Sequence, residues 1–173
     1  DAIMSAHIAL PAMDSGLARP GTLSPAILTG LLQDSLHFTG LVTTDALDMG
    51  AIVKTFGADE AVIRAFEAGT DILLMPADPT SAIAAMTKAV ESGRISMARL
   101  DRSVAKILAL KVKMGLFQQR EVDLAKVPDV VGTAASQAIA ADITSRALVL
   151  LKDSLGTVDA LRAAPRKVAL VSI

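Results

Sequence analysis

Cysteine, tryptophan and tyrosine are absent from this chain of 173 residues; histidine occurs twice and phenylalanine four times. Without cysteine there is no disulfide framework and no thiolate metal site, a condition that suits cytoplasm and periplasm equally. Two histidines, His7 and His37, are too few for a histidine-rich metal centre, and no metal or cofactor is expected. No apolar run approaches the roughly 18 residues that a spanning helix needs, so no membrane partner is expected. The formal net charge is −1 and basic residues form no tract. That excludes the electrostatic footprint of a nucleic-acid binder or of a protein held on an anionic surface.

What is present is apolar: 52% of the residues are hydrophobic, enough to bury a core and to rule out a disordered chain. Three short apolar runs, Ala2 to Ser5, Gly40 to Thr44 and Asp71 to Met75, read as buried strands bounded by turn residues. Each is followed by a helical pattern. Ser24 and Pro25 open a helix that runs from Ala26 to Leu36. Asp59 to Ala68 is closed by Gly69, and Thr80 to Ser92 by Gly93. Asp78-Pro79 is a helix-start signal. Ser96 caps a fourth helix, whose apolar face of Leu100, Val104, Ile107, Leu108 and Leu110 continues to Gly115. Arg99, Asp101 and Arg102 are expected on its solvated side.

Strands about 30 to 40 residues apart from one start to the next, with helices between, imply parallel pairing through crossovers. The fold class is therefore α/β, and both a doubly wound sheet and a (β/α)8 barrel fit. A barrel takes about 250 residues, so three units would be part of one. The chain starts at Asp1 inside a strand and stops at Ile173 within the apolar run Val168 to Ile173. It is therefore expected to be a piece of a longer protein, with any targeting segment upstream. After Gly115 the composition changes. Residues 118–131 are polar and contain Pro128, 132–151 are Ala-rich and helical, 152–165 read as loop or turn, and a strand begins at Val168. The expected organisation is a first domain over 1–117, a connecting stretch over 118–165, and the start of a second domain over 166–173.

In parallel α/β folds reactive groups sit beyond the C-terminal ends of strands. That rule selects His7 and Asp14 after the first run, Asp45 to Gly50 after the second, and Asp78 after the third. A carboxylate at a strand tip, such as Asp45, can serve as nucleophile, general base or metal ligand. The alternative is a helix cap or a loop carboxylate bonded to backbone amides. Asp48, three residues on, suggests a catalytic pair; the reading preferred here is a cap for the next helix or a support for the loop. Met49 is expected to fill core, and His37 to sit at the opposite end of the sheet without chemistry.

The segment Leu31-Leu32-Gln33-Asp34-Ser35-Leu36-His37-Phe38-Thr39-Gly40-Leu41-Val42-Thr43-Thr44-Asp45-Ala46-Leu47-Asp48-Met49 resembles the active-site signature of glycoside hydrolase family 3. The paired leucines, Gly40, Leu41, Val42, Thr44 and Asp45 fall at matching positions, while Gln33, Ser35 and Thr43 depart from the usual residues. Ile3-Met4-Ser5-Ala6-His7 is similar to the preceding barrel strand in the β-N-acetylglucosaminidase (β-N-acetylhexosaminidase) branch. Glu67 to Met75 is similar to the final barrel strand and its lead-in, Arg99 to Phe117 to the closing helix, and Ser145 to Lys152 to the approach to a second, α/β sandwich domain.

The resemblance implies the last three βα units of a (β/α)8 barrel and a retaining exo-β-glycosidase. The enzyme would be a β-N-acetylglucosaminidase acting on peptidoglycan- or chitin-derived carbohydrate, with a β-glucosidase or β-xylosidase as the runner-up. Asp45 would be the nucleophile, and His7 would stand where other members place a residue lining the sugar subsite. A lone histidine at a strand end is more often structural, bonded to backbone, and that is the alternative reading of His7. Branches cleaving glucosides or xylosides more often carry an aromatic residue at the His7 position. The acid/base of the N-acetylglucosaminidase branch, a His supported by an Asp, would lie outside residues 1–173. With no Trp or Tyr present, an aromatic platform for a pyranose would also come from outside them, or the site would rely on hydrogen bonds. The missing part of the barrel, or self-association, is the expected partner. A non-catalytic scaffold is the competing class.

Overall fold

Hydrogen bonds of the expected parallel kind join the first two apolar runs. The computed structural model of the chain describes residues 1–14 and 19–163. Strand β1 (Ala2–Met4) pairs in parallel with β2 (Leu41–Thr43), with Ala2 opposite Leu41, Ile3 opposite Val42 and Met4 opposite Thr43. The third run joins the other side of β2, also in parallel, but only through a bridge between Thr43 and Ile72. The Ile72 amide donates to Val42 O at 3.1 Å and the Thr44 amide to Ile72 O at 3.0 Å. The next rung departs from the ladder, because the Leu74 amide donates to the Thr44 hydroxyl instead, at 2.8 Å. A full strand over 71–75 was the expectation; an extended segment with one bridge is the result.

Around this sheet stand α1 (Gly50–Phe56), α2 (Ala58–Ala68), α3 (Pro79–Glu91) and α4 (Met97–Lys113). Helix α2 is the centre of the packing. Its Ala61, Val62 and Ala65 meet Leu23, Leu47 and Ile52; its Ile63 and Phe66 meet Ala89 and Ile95; and its Ala68 meets Leu28 and Val42. The caps follow the sequence. Asp78 Oδ1 accepts from the amides of Thr80 and Ser81, with Pro79 at the first helical position, and Ser96 Oγ accepts from the Arg99 amide. Helix α1 begins at Gly50 and is short, and periodicity did not reveal it.

The helix expected from Ala26 onward is a π-helix, Ala26–Ser35. Its hydrogen bonds span one residue more than an α-helix's, and positions four apart lie close to one face, as they do in an α-helix. Thr29 and Gln33 use that face. The Thr29 hydroxyl donates to Ala68 O and the Gln33 amide to Gly69 O, each at 2.9 Å, capping the end of α2. Gly69 has φ +126°, and a Cβ there would lie 2.9 Å from both Gln33 Nε2 and Thr29 Oγ1. Gly40 has a different reason to be glycine. A Cβ would come within 2.6 Å of the Asp1 carbonyl oxygen and of the Phe38 ring, where the Leu41 amide must reach Asp1 O.

Beneath the sheet, at the N-terminal end of the third run, lies a buried charge cluster. The Ser103 hydroxyl donates to Asp71 Oδ1 at 2.6 Å, while Lys106 Nζ and the Val42 amide both donate to Oδ2 at 3.1 Å. Arg99 Nη1 stands 3.6 Å from Oδ1. The Arg99 guanidinium also donates to the carbonyls of Phe66 and Thr70 and lies 4.1 Å over the Phe66 ring. Arg99 is thus not on the solvated face expected for it; only Asp101 and Arg102 are. Burial draws its pKa below the ordinary guanidinium value, with Asp71 opposing. A second cluster is exposed: Arg94 grips Glu60 and Glu67, and Arg64 reaches Glu60 from one turn away.

The chain divides into two compact units, Asp1–Arg120 and Glu121–Ile173. The second contains α5 (Val127–Val130), α6 (Ala134–Ala147) and α7 (Thr157–Ala163). Thr133 caps α6 by accepting from the Ser136 amide. Residues 152–165 were read as loop, yet α7 forms there. The Asp153 carboxylate accepts from the amides of Val158 and Thr157, which hold its pKa below the usual carboxylate value. The strand expected from Val168, and with it the start of a second domain over 166–173, lies outside the described residues.

Two outcomes follow for the full-length protein. Replacing Asp71 by Asn leaves Lys106 without its buried anion. It should cost on the order of 3 kcal/mol in equilibrium denaturation, whereas Asp101→Asn, on the exposed face, should change stability by less than about 0.5 kcal/mol. The Glu60 carboxyl is pulled from 4.5 down to about 2, first by its hydrogen bond with Arg94 and then by that with Arg64. A depressed folded-state pKa gives stability that is complete above 4.5 and is lost as pH falls towards 2. Glu60→Gln should therefore be less stable than the parent near neutral pH, with the deficit closing across that window. The effect is modest because the pair is exposed, and added salt should shrink it.

Candidate active site

The C-terminal ends of the parallel strands carry the residues singled out by position. Beyond β2 the chain is held at two points before it turns away. Thr44, fully buried, is bonded to Ile72 and Leu74. Leu47, also buried, donates its amide to Leu74 O at 3.0 Å and packs into the core. Asp45 and Ala46 lie between these anchors and stay half-buried. Asp45 Oδ1 accepts from the Ala46 amide at 2.8 Å. Among the described residues Oδ2 has no hydrogen-bond partner, and the carboxylate forms no ion pair. The group is therefore fixed at one oxygen and available at the other, at the rim where parallel α/β folds bind ligands.

His7 comes from the segment after β1, where Ser5 extends the pairing by donating its amide to Thr43 O at 2.8 Å. Its Nε2 lies 2.9 Å from Ala46 O and its Nδ1 2.9 Å from Thr22 Oγ1. A carbonyl oxygen only accepts, so Nε2 carries the hydrogen. Thr22, fully buried, is in turn 2.9 Å from Ser5 Oγ. The two site residues named from sequence are thus brought together, with Ala46 as the link. Thr22, Ser5 and the Thr44 hydroxyl were not singled out. Their signal is a polar residue at a position that must be buried, which becomes visible only once the strand faces are assigned.

The remaining candidates divide. Asp14 is buried, Oδ2 has no hydrogen-bond partner, and the nearest cation is Arg19 Nε at 3.8 Å. Asp48 is exposed and does not cap α1, whose N-cap is Met49 with no side-chain hydrogen bond. Met49 is itself exposed rather than core. His37 is exposed at φ +55°, between the π-helix and β2. Among the described residues no three His, Cys, Asp or Glu side chains cluster to hold a metal ion, and no helix is long and apolar enough to cross a membrane. An apolar groove of about 610 Å³, lined by Leu73, Pro76, Pro79, Ile83, Met86 and Leu100 among others, runs along the helical layer. Neither Asp45 nor His7 lines it, so it lacks the convergent polar groups of a reaction site.

A parallel α/β sheet with a fixed carboxylate beyond a central strand defines a class of proteins that work at that face. Comparison with known proteins narrows the class. Residues 1–110 match the glycosyl hydrolase family 3 N terminal domain. The chain is 31% identical over 169 residues to beta-hexosaminidase A of Pseudoalteromonas piscicida, covering 87% of this chain and 28% of that protein. It is 29% identical over 168 residues to a beta-N-acetylglucosaminidase/beta-glucosidase of Cellulomonas fimi, covering 92% and 30%. The solved structure of a glycoside hydrolase family 3 beta-N-acetylglucosaminidase from Paenibacillus sp. str. FPU-7 matches with TM-score 0.74 and 37% identity, over 89% of this chain and 30% of that one. The chain belongs to glycosyl hydrolase family 3. It spans less than a third of the length of these relatives.

Proposed function

We propose that the full-length protein is a retaining exo-β-glycosidase that removes terminal β-N-acetylglucosaminides, such as those of peptidoglycan or chitin. Residues 1–117 would form the last three βα units of its (β/α)8 barrel, 118–165 the connecting stretch, and 166–173 the start of an α/β sandwich domain. The observation that carries the reading is Asp45, clamped between Thr44 and Leu47 with one carboxylate oxygen bonded to Ala46 and the other open. Retaining glycosidases need a carboxylate that attacks the anomeric carbon from a fixed position and a second group that protonates the leaving oxygen. Asp45 suits the first role. The proton falls to a group outside these 173 residues. The sugar is inferred from the named activities of the hexosaminidase and N-acetylglucosaminidase relatives. The Cellulomonas protein, named for both activities, keeps a β-glucosidase as the second reading.

Activity is tested in the full-length enzyme. Asp45→Asn keeps the side chain's size but removes the anion, and turnover of an aryl N-acetylglucosaminide should fall by roughly a thousandfold or more, with folding intact. A fluorinated sugar that traps the glycosyl-enzyme should label the peptide containing Asp45. Label on Asp48, or near-normal turnover by Asp45→Asn, overturns the assignment. Faster turnover of the aryl glucoside than of the N-acetylglucosaminide selects the second reading.

The partner reading is the rest of the barrel. Among the described residues β1 is paired on one side only, and Met4 and Ile72, which flank Thr43 across the sheet, are both exposed. Open edges and apolar faces of this kind associate. The isolated 173-residue chain should therefore sediment as an assembly or unfold without cooperativity. A monodisperse monomer with a cooperative transition would contradict this.

A further inference from the structure

We propose that His7 is a positioning residue for the nucleophile: its Nε2–H holds the carbonyl of Ala46, and Thr22 and Ser5 hold the imidazole from behind. The proposal rests on the reading of Asp45 as nucleophile. Ala46 is bonded at both polar atoms. Its amide donates to Asp45 Oδ1 at 2.8 Å and its carbonyl accepts from His7 at 2.9 Å, with a longer contribution from the Met49 amide at 3.4 Å. Rotation of Ala46 therefore moves the carboxylate that leans on it, and His7 is the side chain that opposes the rotation.

The imidazole is itself braced. In the neutral ring Nδ1 has only a lone pair to offer, so the Thr22 hydroxyl donates to it and the Ser5 hydroxyl donates to Thr22. Each brace is tied to backbone. Ser5 donates its amide to Thr43 O at 2.8 Å, and Thr22 donates its amide to Ala6 O at 3.3 Å. Thr22 is fully buried and Ser5 nearly so, so water does not compete for these bonds. The relay Ser5–Thr22–His7–Ala46–Asp45 thus joins the β1 end, the turn at Gly21–Leu23 and the β2 end. With both nitrogens bonded to protein, the ring keeps no polar atom for a sugar hydroxyl. That is why the role assigned to it here is positioning rather than sugar contact.

The test uses the full-length enzyme and an aryl N-acetylglucosaminide, with a fluorinated sugar to time the labelling of Asp45. His7→Leu removes both bonds, and His7→Gln returns an N–H near the position of Nε2. Because a displacement of about 1 Å can cost on the order of a hundredfold in rate, His7→Leu should lower kcat and the labelling rate by about 10- to 100-fold, with KM within about threefold of the parent. His7→Gln should recover most of that loss, which a merely structural role would not predict. Thr22→Val, which leaves His7 in place but loosens it, should show the same kcat-only defect in milder form, and serves if His7→Leu does not fold. A raised KM at unchanged kcat in His7→Leu would make His7 a sugar contact and overturn the proposal. So would unchanged labelling of Asp45, a His7→Gln variant as impaired as His7→Leu, or a Thr22→Val variant with parental kcat. Labelling of some other residue in the parent enzyme would instead remove the nucleophile assignment.

Discussion

The hydrogen bond from the Leu74 amide to the Thr44 hydroxyl decides what happens at the end of the sheet. In an uninterrupted parallel ladder that amide would meet a main-chain carbonyl, and β2 and its neighbour would run on together. The hydroxyl takes its place at 2.8 Å, and pairing stops one residue before Asp45. Leu47 then returns its amide to Leu74 O, so the chain is pinned again three residues later. Asp45 is thereby released from the sheet without being released into a loose loop. A buried threonine at this place satisfies the polar groups of two segments at once.

The two ends of the sheet divide the labour. At the N-terminal end Asp71 gathers a serine, a lysine, an arginine and a strand amide, tying the last helix of the first unit to the strands. None of these groups bonds to Asp45 or His7. At the C-terminal end the bonds are short links among hydroxyls, an imidazole and single peptides, and they leave one carboxylate oxygen open. Stability at one face and chemistry at the other is the arrangement on which parallel α/β architectures depend.

Much of the frame was legible in the residues because it obeys local rules. Strands of apolar residues, Pro after Asp78, Ser96 before a periodic stretch and glycines at helix ends all act over a few positions. Asp45 was legible because a strand tip is a positional argument and its surrounding segment is distinctive. What escaped depends on partners distant in sequence. Arg99 looked solvated because helical periodicity cannot show Asp71 waiting 28 positions earlier. Asp48 looked like a cap, yet α1 starts without one. The bonds of Ser5 and Thr22 required knowing that His7 turns between them. Helix α7 is held by Asp153, whose carboxylate reaches amides four and five residues on, a spacing outside the usual capping pattern.

The π-helix at Ala26–Ser35 constrains how this stretch of chain can change over evolutionary time. Thr29 and Gln33 reach the end of α2 together, four positions apart on one face, each covering one of its last carbonyls. Loss of a single amino acid from this stretch would let it relax to ordinary α geometry without shortening the connection appreciably. If the loss fell between Thr29 and Gln33, the two donors would stand three positions apart, and the carbonyls of Ala68 and Gly69 would have to be covered from that different spacing. The spacing of these two donors is therefore a constraint on sequence length, apart from the identity of any other side chain. A family alignment would be expected to show substitutions along this helix far more readily than gaps.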